Sequence, residues 1–540
     1  MKCLVVLLPI LASAATFNSP TCNESDVVNT IAMATNGDTV TIPACSQTNW
    51  TTTVNVNVGI TLQGAGQGST IIGDNVPKGT VAGSCNDGAP LIIWNVASPN
   101  SMRMTGMTIN AVAADPAVCS RGHIKVTGTT HSMRVDHITI SAVTSSIYIS
   151  GDVWGVIDHY TFSGNFVTGV RVEHFNWNGF NLWTDNWGDA SWSAAFTPGS
   201  NQGIFVEDSS FTGTATVASA AATDCYSGGH IIFRHNTVST LDLGTHGADS
   251  DQRHRACRWL EAYSNTFTYT TINALGFIAW IRGGSGVFYN NTVTATGYSN
   301  NMVQVTNCRD ASAGCGGGPN YTPWGTCDGT SNYDQNSSGG SGYRCVDQPG
   351  AGTSAQLGPD TGGGITPANT WVGNASDPIY IWNNTLNGSS YNVTNGTPHV
   401  QLNRDYFVGT ARPAYTPYTY PHPLQGVAGS PTVTTVCPLA SGTVGTSYNT
   451  AGSGILTASG GTPPYTWSIS AGGLPAGLSV SGSSITGTPT TAGSSSFTLL
   501  ATDNAAMTGT KACSMTVANP GGGSPVSAAG NGVRAGAFVP

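Results

Sequence analysis

Charged residues are scarce in this chain of 540 residues, where Asp, Glu, Lys and Arg together make up 8% of the composition. The formal net charge of −9 is spread thinly, and the sequence has no long basic run. Nucleic acid is therefore excluded as an expected partner, because binding to a phosphate backbone needs clustered Lys and Arg. The lack of a basic amphipathic helix likewise argues against attachment to a membrane surface.

Long hydrophobic runs are missing as well. The stretch LVVLLPILASA, which follows Met1, Lys2 and Cys3, is too short to span a bilayer, and no later stretch is long enough. The positive charge, the short apolar core and the small-residue end together predict a secretory signal peptide over residues 1–15. We therefore expect a secreted, extracellular or cell-surface protein without a transmembrane segment.

The sequence contains 13 cysteines, and Cys3 lies within the predicted signal peptide. The remaining chain therefore has an even number of cysteines. An even count in a secreted chain predicts structural disulfides. Proximity in the sequence suggests Cys22 with Cys45, Cys85 with Cys119, Cys225 with Cys257, two bonds among Cys308, Cys315, Cys327 and Cys345, and Cys437 with Cys513.

Helix-period patterning is rare, and short β-type runs punctuated by Gly, Asn and Ser predict an all-β chain. One six-residue phrase recurs: apolar, variable, polar, polar, Thr or Ser, apolar. Its copies are VDHITI from Val135, IDHYTF from Ile157, VEDSSF from Val206, FRHNTV from Phe233, AYSNTF from Ala262, FYNNTV from Phe288 and IWNNTL from Ile381. Most neighbouring copies lie roughly 22 to 29 residues apart, a period typical of a solenoid with one copy per turn, or rung.

Each position of the phrase predicts a different environment for its side chain. The sixth residue of the phrase is always apolar, as a stack of side chains facing the interior requires. If the side chain of the first residue points to the interior, strand alternation predicts that the side chain of the second residue faces solvent. The fourth place is Asn in the later copies, and Asn tolerates unusual backbone angles and can bond the same residue one rung away. We therefore predict an asparagine ladder formed by Asn236, Asn265, Asn291 and Asn384.

This repeat resembles the right-handed parallel β-helix superfamily of pectate-lyase-like proteins across roughly residues 20–425. SDVVNTIAMATNGDTVTIPACS looks like a short capping helix followed by a strand. RGGSGVFYNNT, GYRCVDQPG and NRDYFVGTARPAYTPYTYPHPL look like signatures of bacterial secreted β-helix proteins. The resemblance implies an all-β fold with a right-handed parallel β-helix over residues 16–428.

From about Ser430 the sequence alternates short β-type runs with Gly/Pro turns, as in TASGGTPPYTWSISAGGLPAGLSVSG. This stretch resembles the immunoglobulin-like modules attached to bacterial extracellular proteins. The resemblance implies a small β-sandwich over residues 429–519, and the Gly- and Ser-rich residues 520–540 predict a flexible tail.

The second places of the phrase form a column that is acidic at one end and aromatic at the other: Asp136, Asp158, Glu207, Arg234, Tyr263, Tyr289 and Trp382. Such a surface suits an extracellular polysaccharide, because aromatic faces pack on sugar rings while carboxylates and Arg bind hydroxyls or uronate carboxylates. The alternative is a solvated or loop-covered face that binds nothing.

The densest ionisable cluster combines adjacent rungs with the loop LGTHGADSDQRHRACRW. We predict that Arg234, with Arg255 and Arg258, neutralises a uronate carboxylate, and that His246 or His230 acts as the base of a polysaccharide lyase. Glu207 and Glu261 would bind hydroxyls or a cation, while Trp259, Tyr263, Tyr289 and Arg282 would contact the sugar.

Two other functions stay open. A glycoside hydrolase would use paired carboxylates such as Glu207 and Glu261, but the close Asp pair and the Arg-x-Lys motif of pectin hydrolases with this fold are missing. Lyases of the fold often use Lys, yet Lys125 is the only lysine in the central helix. A non-catalytic glycan-binding surface protein, or adhesin, would use the same column for binding alone.

Metal sites have few candidates. Asp249 and Asp251, with nearby carbonyl groups, form a weak candidate for Ca²⁺. His137, His159 and His235 share the third place of the phrase, where a hydrogen-bonded ladder at a turn is favoured over a metal site.

Overall fold

Stacked turns of parallel strands build most of this chain. The computed structural model describes residues 14–78, 89–112, 122–142, 146–164, 168–174, 189–213, 221–248, 255–269, 277–296, 301–310, 326–328, 334, 345–354, 373–425, 431–448, 454–459, 465–502 and 508–521. Their contacts divide the chain into two units, Met1–Leu424 and Gln425–Pro540.

A short helix at the N-terminus begins the first unit, as predicted. It spans Glu24–Ile31 and buries Val27, Thr30 and Ile31, and the strand Thr39–Ile42 follows it. A cap of this kind covers strand edges that the end of an open solenoid would otherwise expose. The other described helices are Asp189–Ser193 and the 3₁₀ turn Pro423–Gln425.

Each rung contributes up to three strands, which we assign to sheets 1, 2 and 3 in the order in which the chain passes through them. Sheet 1 contains ten described strands in parallel pairing. They are Val54–Val56, Ile92–Val96, Ile124–Gly128, Ile147–Ser150, Thr168–Glu173, Ala221–Tyr226, Asp242–Thr245, Ala279–Ile281, Asn301–Val305 and Asn392–Asn395.

Sheets 2 and 3 are the two halves of a twenty-stranded parallel sheet among the described residues. Sheet 2 contains Thr16–Asn18, Thr39–Ile42, Thr61–Gly64, Met102–Ala111, Met133–Ala142, Gly155–Asp158, Ile204–Glu207, His230–Arg234, Trp259–Tyr263, Ser285–Tyr289, Ile379–Trp382 and Tyr406–Val408. Sheet 3 contains Cys45–Trp50, Thr70–Asp74, Thr161–Gly164, Ser210–Gly213, Thr237–Ser239, Thr266–Tyr269, Thr292–Ala295 and Thr385–Leu386, and the ends of Met102–Ala111 and Met133–Ala142 also pair there. This topology confirms the predicted parallel β-helix.

The interior follows the repeated phrase. First-place residues such as Val135, Val206 and Phe233 are fully buried, and so are the sixth-place Ile140 and Phe267. Their side chains form one hydrophobic core that runs through the first unit. Strand alternation explains this pattern, because every second residue must point to the same side of its sheet.

The predicted asparagine ladder is present at the turn between sheets 2 and 3. The Asn236 amide donates to Asn265 Oδ1 at 3.2 Å, Asn265 to Asn291 at 3.0 Å, and Asn291 to Asn384 at 2.9 Å. The unusual backbone angle lies one residue earlier than we expected, at third-place residues such as His235 with φ of 57°. The fourth-place Asn is instead buried and bridges the rungs.

Four disulfides join described residues: Cys22–Cys45, Cys225–Cys257, Cys327–Cys345 and Cys437–Cys513. All four agree with the sequence-based pairing. Cys85, Cys119 and Cys315 lie outside the described residues, so the remaining pairings stay predictions. An antiparallel pair of strands, Ala351–Ser354 and Asn374–Ser376, follows Cys345.

The second unit is a small all-β structure, as predicted. Its strands are Thr432–Val433, Gly442–Thr443, Ala458–Ser459, Thr466–Gly472, Leu478–Ser481, Ser484–Gly487, Gly493–Thr502 and Thr508–Ala518. The longest two pair in antiparallel register, and Phe497, Leu499 and Met515 belong to a separate hydrophobic core. Across the described part of the chain, no helix is long and apolar enough to cross a membrane.

Candidate functional site

Residues 410–424, which we call the covering segment, cover the outer side of sheet 2 from Glu207 to Trp382. Asp136 and Asp158 lie beyond this part and pair with Arg103 and Arg134. Asp136, Asp158, Glu207 and Arg234 all have 0% of their surface exposed. The prediction that the second place of the phrase faces solvent is therefore wrong for these residues. Alternation correctly indicates the side of the sheet on which they lie, but it carries no information about what packs on that side.

Arg234 is the centre of the buried network below the covering segment. Its guanidinium pairs with Glu207, donates to Tyr263 Oη at 2.7 Å, and donates to the backbone oxygens of Tyr418 at 2.6 Å and Thr419 at 2.8 Å. Burial raises the pKa of Glu207, although the charge of Arg234 opposes this effect. Arg234 thus holds the covering segment to sheet 2, and its donors are engaged within the protein.

Glu261 and Trp259, two more predicted site residues, are buried under the same segment. The Glu261 carboxylate accepts hydrogen bonds from Tyr415 Oη at 2.5 Å, Trp259 Nε1 at 2.9 Å and the Gly199 N–H at 3.0 Å. Burial raises the pKa of Glu261 above its usual value. Because Glu207 and Glu261 are 0% and 1% exposed, neither offers a carboxylate to a polysaccharide in this arrangement.

Aromatic residues continue the sheet 2 column as one stack of rings. The Tyr263 and Tyr289 centroids lie 4.7 Å apart, and the Tyr289 and Trp382 centroids lie 4.3 Å apart with nearly parallel planes. The rung spacing of about 4.8 Å explains this stacking. Tyr289 therefore has a neighbouring ring on both of its faces, which leaves neither face for sugar stacking.

Three other predicted site residues are also buried. Burial lowers the pKa of His230 well below its usual value, and its Nδ1 lies 3.1 Å from the Gln202 oxygen. Arg255 is fully buried and makes a two-point ion pair with Asp347. Arg258 is 2% exposed and lies 3.5 Å from an Asp377 oxygen. Arg255 and Arg258 are thus buried below the protein surface.

A second ionisable cluster lies on the outer side of sheet 1, and it keeps contact with solvent. Successive rungs align Lys125, Tyr148, Arg171 and Asp224 in one outward column. A second outward column begins with Glu173 and Tyr226, which are aligned on neighbouring strands. Extending the register of the next two strands by a residue or two adds His246 and Arg282 to this column. We call these eight residues the sheet 1 cluster.

Arg171 is a partly exposed cation of the sheet 1 cluster. Its side chain is 31% exposed and pairs with Glu173, which also accepts a hydrogen bond from Tyr148 Oη at 3.1 Å. The guanidinium carbon lies 4.2 Å from the centroid of the Tyr226 ring. Lys125 Nζ lies 5.7 Å from the Tyr148 ring centroid, so a second cation approaches the same patch.

His246 lies one rung beyond Tyr226 and is fixed on several sides. Its Nδ1 donates to Asp224 Oδ1 at 2.9 Å, which makes Nε2 the basic nitrogen of the neutral ring. Its ring centroid is 4.1 Å from that of Tyr226. The His246 N–H donates to the Cys225 oxygen, and its own oxygen accepts from the Cys257 N–H. The Cys225–Cys257 disulfide therefore closes the base of the loop that begins at His246.

Arg282 and Trp280 extend this surface by one rung. The Arg282 guanidinium carbon lies 4.4 Å from the Trp280 ring centroid, and Arg282 Nε donates to the Thr245 oxygen at 2.8 Å. Trp280 is half-buried, whereas Arg282 is 9% exposed. Of the predicted site residues, the structure thus brings His246 and Arg282 together on sheet 1, and the others lie elsewhere.

This arrangement has the groups that proton abstraction beside a carboxylate requires. A cation that can bind a sugar carboxylate, Arg171, and a base oriented by a carboxylate, His246, contact the same tyrosine ring. Such an aspartate–histidine pair fixes the tautomer and direction of the imidazole. The Arg171 side chain of the cluster is also partly exposed, whereas the Arg234 and Glu207 side chains under the covering segment are fully buried.

Sequence reasoning missed Tyr148, Arg171, Glu173, Asp224 and Tyr226. The signal was present in the short β-type runs that precede each copy of the phrase, such as IKV, IYIS, GVRVE and TDCY. Applying strand alternation to these runs would have aligned their outward residues. The repeated phrase drew attention to sheet 2 because its pattern is stronger there.

Two groups of possible metal ligands occur among the described residues. His137 and His159 stack with an angle of 5° between their planes, so one ion cannot lie in both ring planes, and each Nδ1 already pairs with a neighbouring Asp. The second group contains Cys327 and Cys345, whose sulfurs form a disulfide. The predicted calcium ligands Asp249 and Asp251 lie outside the described residues.

Comparison with known proteins characterises the C-terminal unit. Residues 430–518 match the family described as "Putative Ig domain". Among solved structures, an alginate lyase from Paenibacillus sp. str. FPU-7 is similar at 11% identity and a TM-score of 0.34, over 75% of this chain and 98% of that chain. No curated protein matches the chain significantly. The low similarity to the lyase does not transfer an activity to this chain.

Proposed function

We propose that this chain is a secreted carbohydrate-active protein that cleaves a uronic-acid-containing polysaccharide by β-elimination on the outer side of sheet 1. The observation that supports it most is the contact of Arg171 and His246 with the same Tyr226 ring. A lyase needs a cation at the uronate carboxylate and a base at the adjacent carbon within one sugar unit.

The proposed reaction assigns one task to each group. Arg171, with Lys125 nearby, binds the uronate carboxylate and stabilises the negative charge that develops when the C5 proton leaves. His246 Nε2 takes this proton, while Asp224 stabilises the imidazolium that forms. The bond between C4 and the glycosidic oxygen breaks as the C4–C5 double bond forms, and the leaving oxygen takes a proton from solvent.

Hydrolysis is less well supported on this surface. A glycosidase needs two carboxylates that act directly on the glycosidic bond. Glu173 is bound by Arg171 and Tyr148, and Asp224 is bound by His246. Both carboxylates therefore have roles in holding other side chains, which favours elimination.

Turnover assays with a panel of acidic and neutral polysaccharides test this proposal. The ultraviolet absorbance of unsaturated products and the appearance of new reducing ends are followed together, with Ca²⁺ and with a chelator. Elimination predicts that both signals rise with a polyuronate and that neither rises with a neutral glycan. New reducing ends without absorbance would contradict elimination in favour of hydrolysis. Neither signal, with retention on an immobilised glycan, would favour a binding protein.

Arg171→Ala tests the proposed carboxylate contact separately from the base. We expect kcat/KM on a polyuronate to fall about 10²-fold or more, because one preorganised charge contact is lost. Arg103→Ala is a matched control, since the Arg103 side chain is 40% exposed and pairs with Asp136 on sheet 2. Equal losses in the two variants would contradict a specific role for Arg171.

A further inference from the structure

The aromatic stack on sheet 2 ends at Trp382. The place aligned with Trp382 in the next rung is Gly409, whose N–H donates to the Ile381 oxygen at 2.8 Å. Gly409 has no side chain, and a Cβ added there would meet no atom of the described residues within 4 Å. One face of the Trp382 indole therefore packs on Tyr289. The opposite face lies toward Gly409, where the next rung supplies no side chain.

Polar and aromatic groups surround this end of the stack. Asn383 follows Trp382, and its amide donates to Asn290 Oδ1 at 2.8 Å on the exposed surface. The Tyr415 ring stands nearly perpendicular to the indole, with centroids 6.4 Å apart. An open cleft of about 510 Å³ lies between the ring edges and the covering segment, and Trp382 and Asn290 line it.

We propose that Trp382 and the neighbouring amide of Asn383 bind a neutral sugar unit of a polysaccharide. The C–H face of the sugar would continue the stack on the indole, and its hydroxyls would bond to this amide. This site is separate from the proposed catalytic surface on sheet 1, and its function is to hold the polysaccharide rather than to cleave it.

The charge of the cleft favours a neutral sugar over a uronate. Arg234 also lines the cleft, but its charge is compensated by Glu207 and its donors are bound by backbone oxygens and Tyr263. Burial lowers the pKa of His235, which leaves this histidine neutral near neutral pH. The sheet 1 cluster, by contrast, presents the partly exposed guanidinium of Arg171.

Calorimetric titration of the full chain with neutral oligosaccharides, including gluco-, manno- and galacto-configured chains, tests the proposal. We expect Trp382→Ala to weaken the affinity of the oligosaccharide that binds by about tenfold. Gly409→Asn should weaken it similarly by placing a side chain beside the indole, since Asn tolerates the φ of +76° at this position. Denaturation curves for both variants show whether the fold is retained.

Variants of the other surface separate this proposal from the lyase proposal. Arg171→Ala and His246→Ala should leave the affinity for the neutral oligosaccharide unchanged, whether or not the chain proves to be a lyase. The proposal is overturned if no neutral oligosaccharide binds, or if folded Trp382→Ala and Gly409→Asn bind as tightly as the unmodified chain. It is equally overturned if Arg171→Ala abolishes the binding, because the sugar would then lie on sheet 1.

Discussion

The outer side of sheet 1 and the part of sheet 2 under the covering segment are built from the same residue types but differ in access to solvent. On sheet 2, Arg234 and Glu207 are fully buried under the covering segment. On sheet 1, Arg171 pairs with Glu173 in much the same way, yet its side chain is 31% exposed. The difference teaches that an outward ion pair in a β-helix is a functional candidate only where no other segment packs on it.

The largest expected effect comes from the proposed base on sheet 1. His246→Ala should lower turnover of a polyuronate about 10²- to 10⁴-fold, because a positioned base is removed. His137→Ala provides the matched control on sheet 2, since the His137 side chain is 50% exposed and has an Asp partner as His246 does. Initial rates for both variants test the difference, and unimpaired turnover in His246→Ala would remove the base from the proposed mechanism.

The buried pair on sheet 2 should instead determine stability. Arg234→Ala leaves Glu207 as an uncompensated buried charge, and we expect the free energy of unfolding to fall by about 3–5 kcal/mol. Chemical denaturation measures this change. The double variant Glu207→Leu with Arg234→Met removes both charges and should recover much of the loss. A stable Arg234→Ala variant would indicate that water reaches Glu207 and that the covering segment is not closed.

The covering segment should also make stability depend on pH. Burial lowers the pKa of His422 from 6.5 to about 4, and its Nδ1 accepts a hydrogen bond from the Leu424 N–H at 3.1 Å. The unfolded chain therefore binds this proton more readily, so stability is complete above about pH 6.5 and falls as the pH decreases toward 4. The loss is on the order of 3 kcal/mol.

His422→Gln tests this pH dependence, because Gln does not titrate and keeps an acceptor near Leu424. The difference in unfolding free energy between the variant and the unmodified chain should change across the acidic range and stay constant above it. A constant difference at every pH would assign the acid sensitivity to other groups.

The smallest expected effect comes from the asparagine ladder between sheets 2 and 3. Asn265→Ala removes donors to Asn291 Oδ1 and to the Phe233 oxygen, together with the acceptor for the Asn236 N–H. We expect a loss of about 1–3 kcal/mol in the free energy of unfolding. Kinetic constants of the remaining folded protein should not change, and a selective loss of activity would show that the ladder positions one surface.

The sequence alone predicts the β-helix, its core and its ladder because these features depend on contacts that repeat with the rung. Val206 and Phe233 occupy equivalent places, as do Asn236 and Asn265, so one phrase specifies many pairs. The disulfide Cys225–Cys257 is likewise predictable, since it joins two successive cysteines of the sequence. Strand alternation also correctly indicates that Glu207 and Arg234 lie outside the core.

Only the tertiary structure decides which outward residues reach solvent. Tyr418 and Thr419 are 184 and 185 residues from Arg234 in the sequence, yet their backbone oxygens bind its guanidinium. No periodic pattern encodes such a contact, because the covering segment occurs once and does not repeat with the rungs. The physical reason is that alternation is a local property of one strand, whereas access to solvent depends on every segment that packs against it.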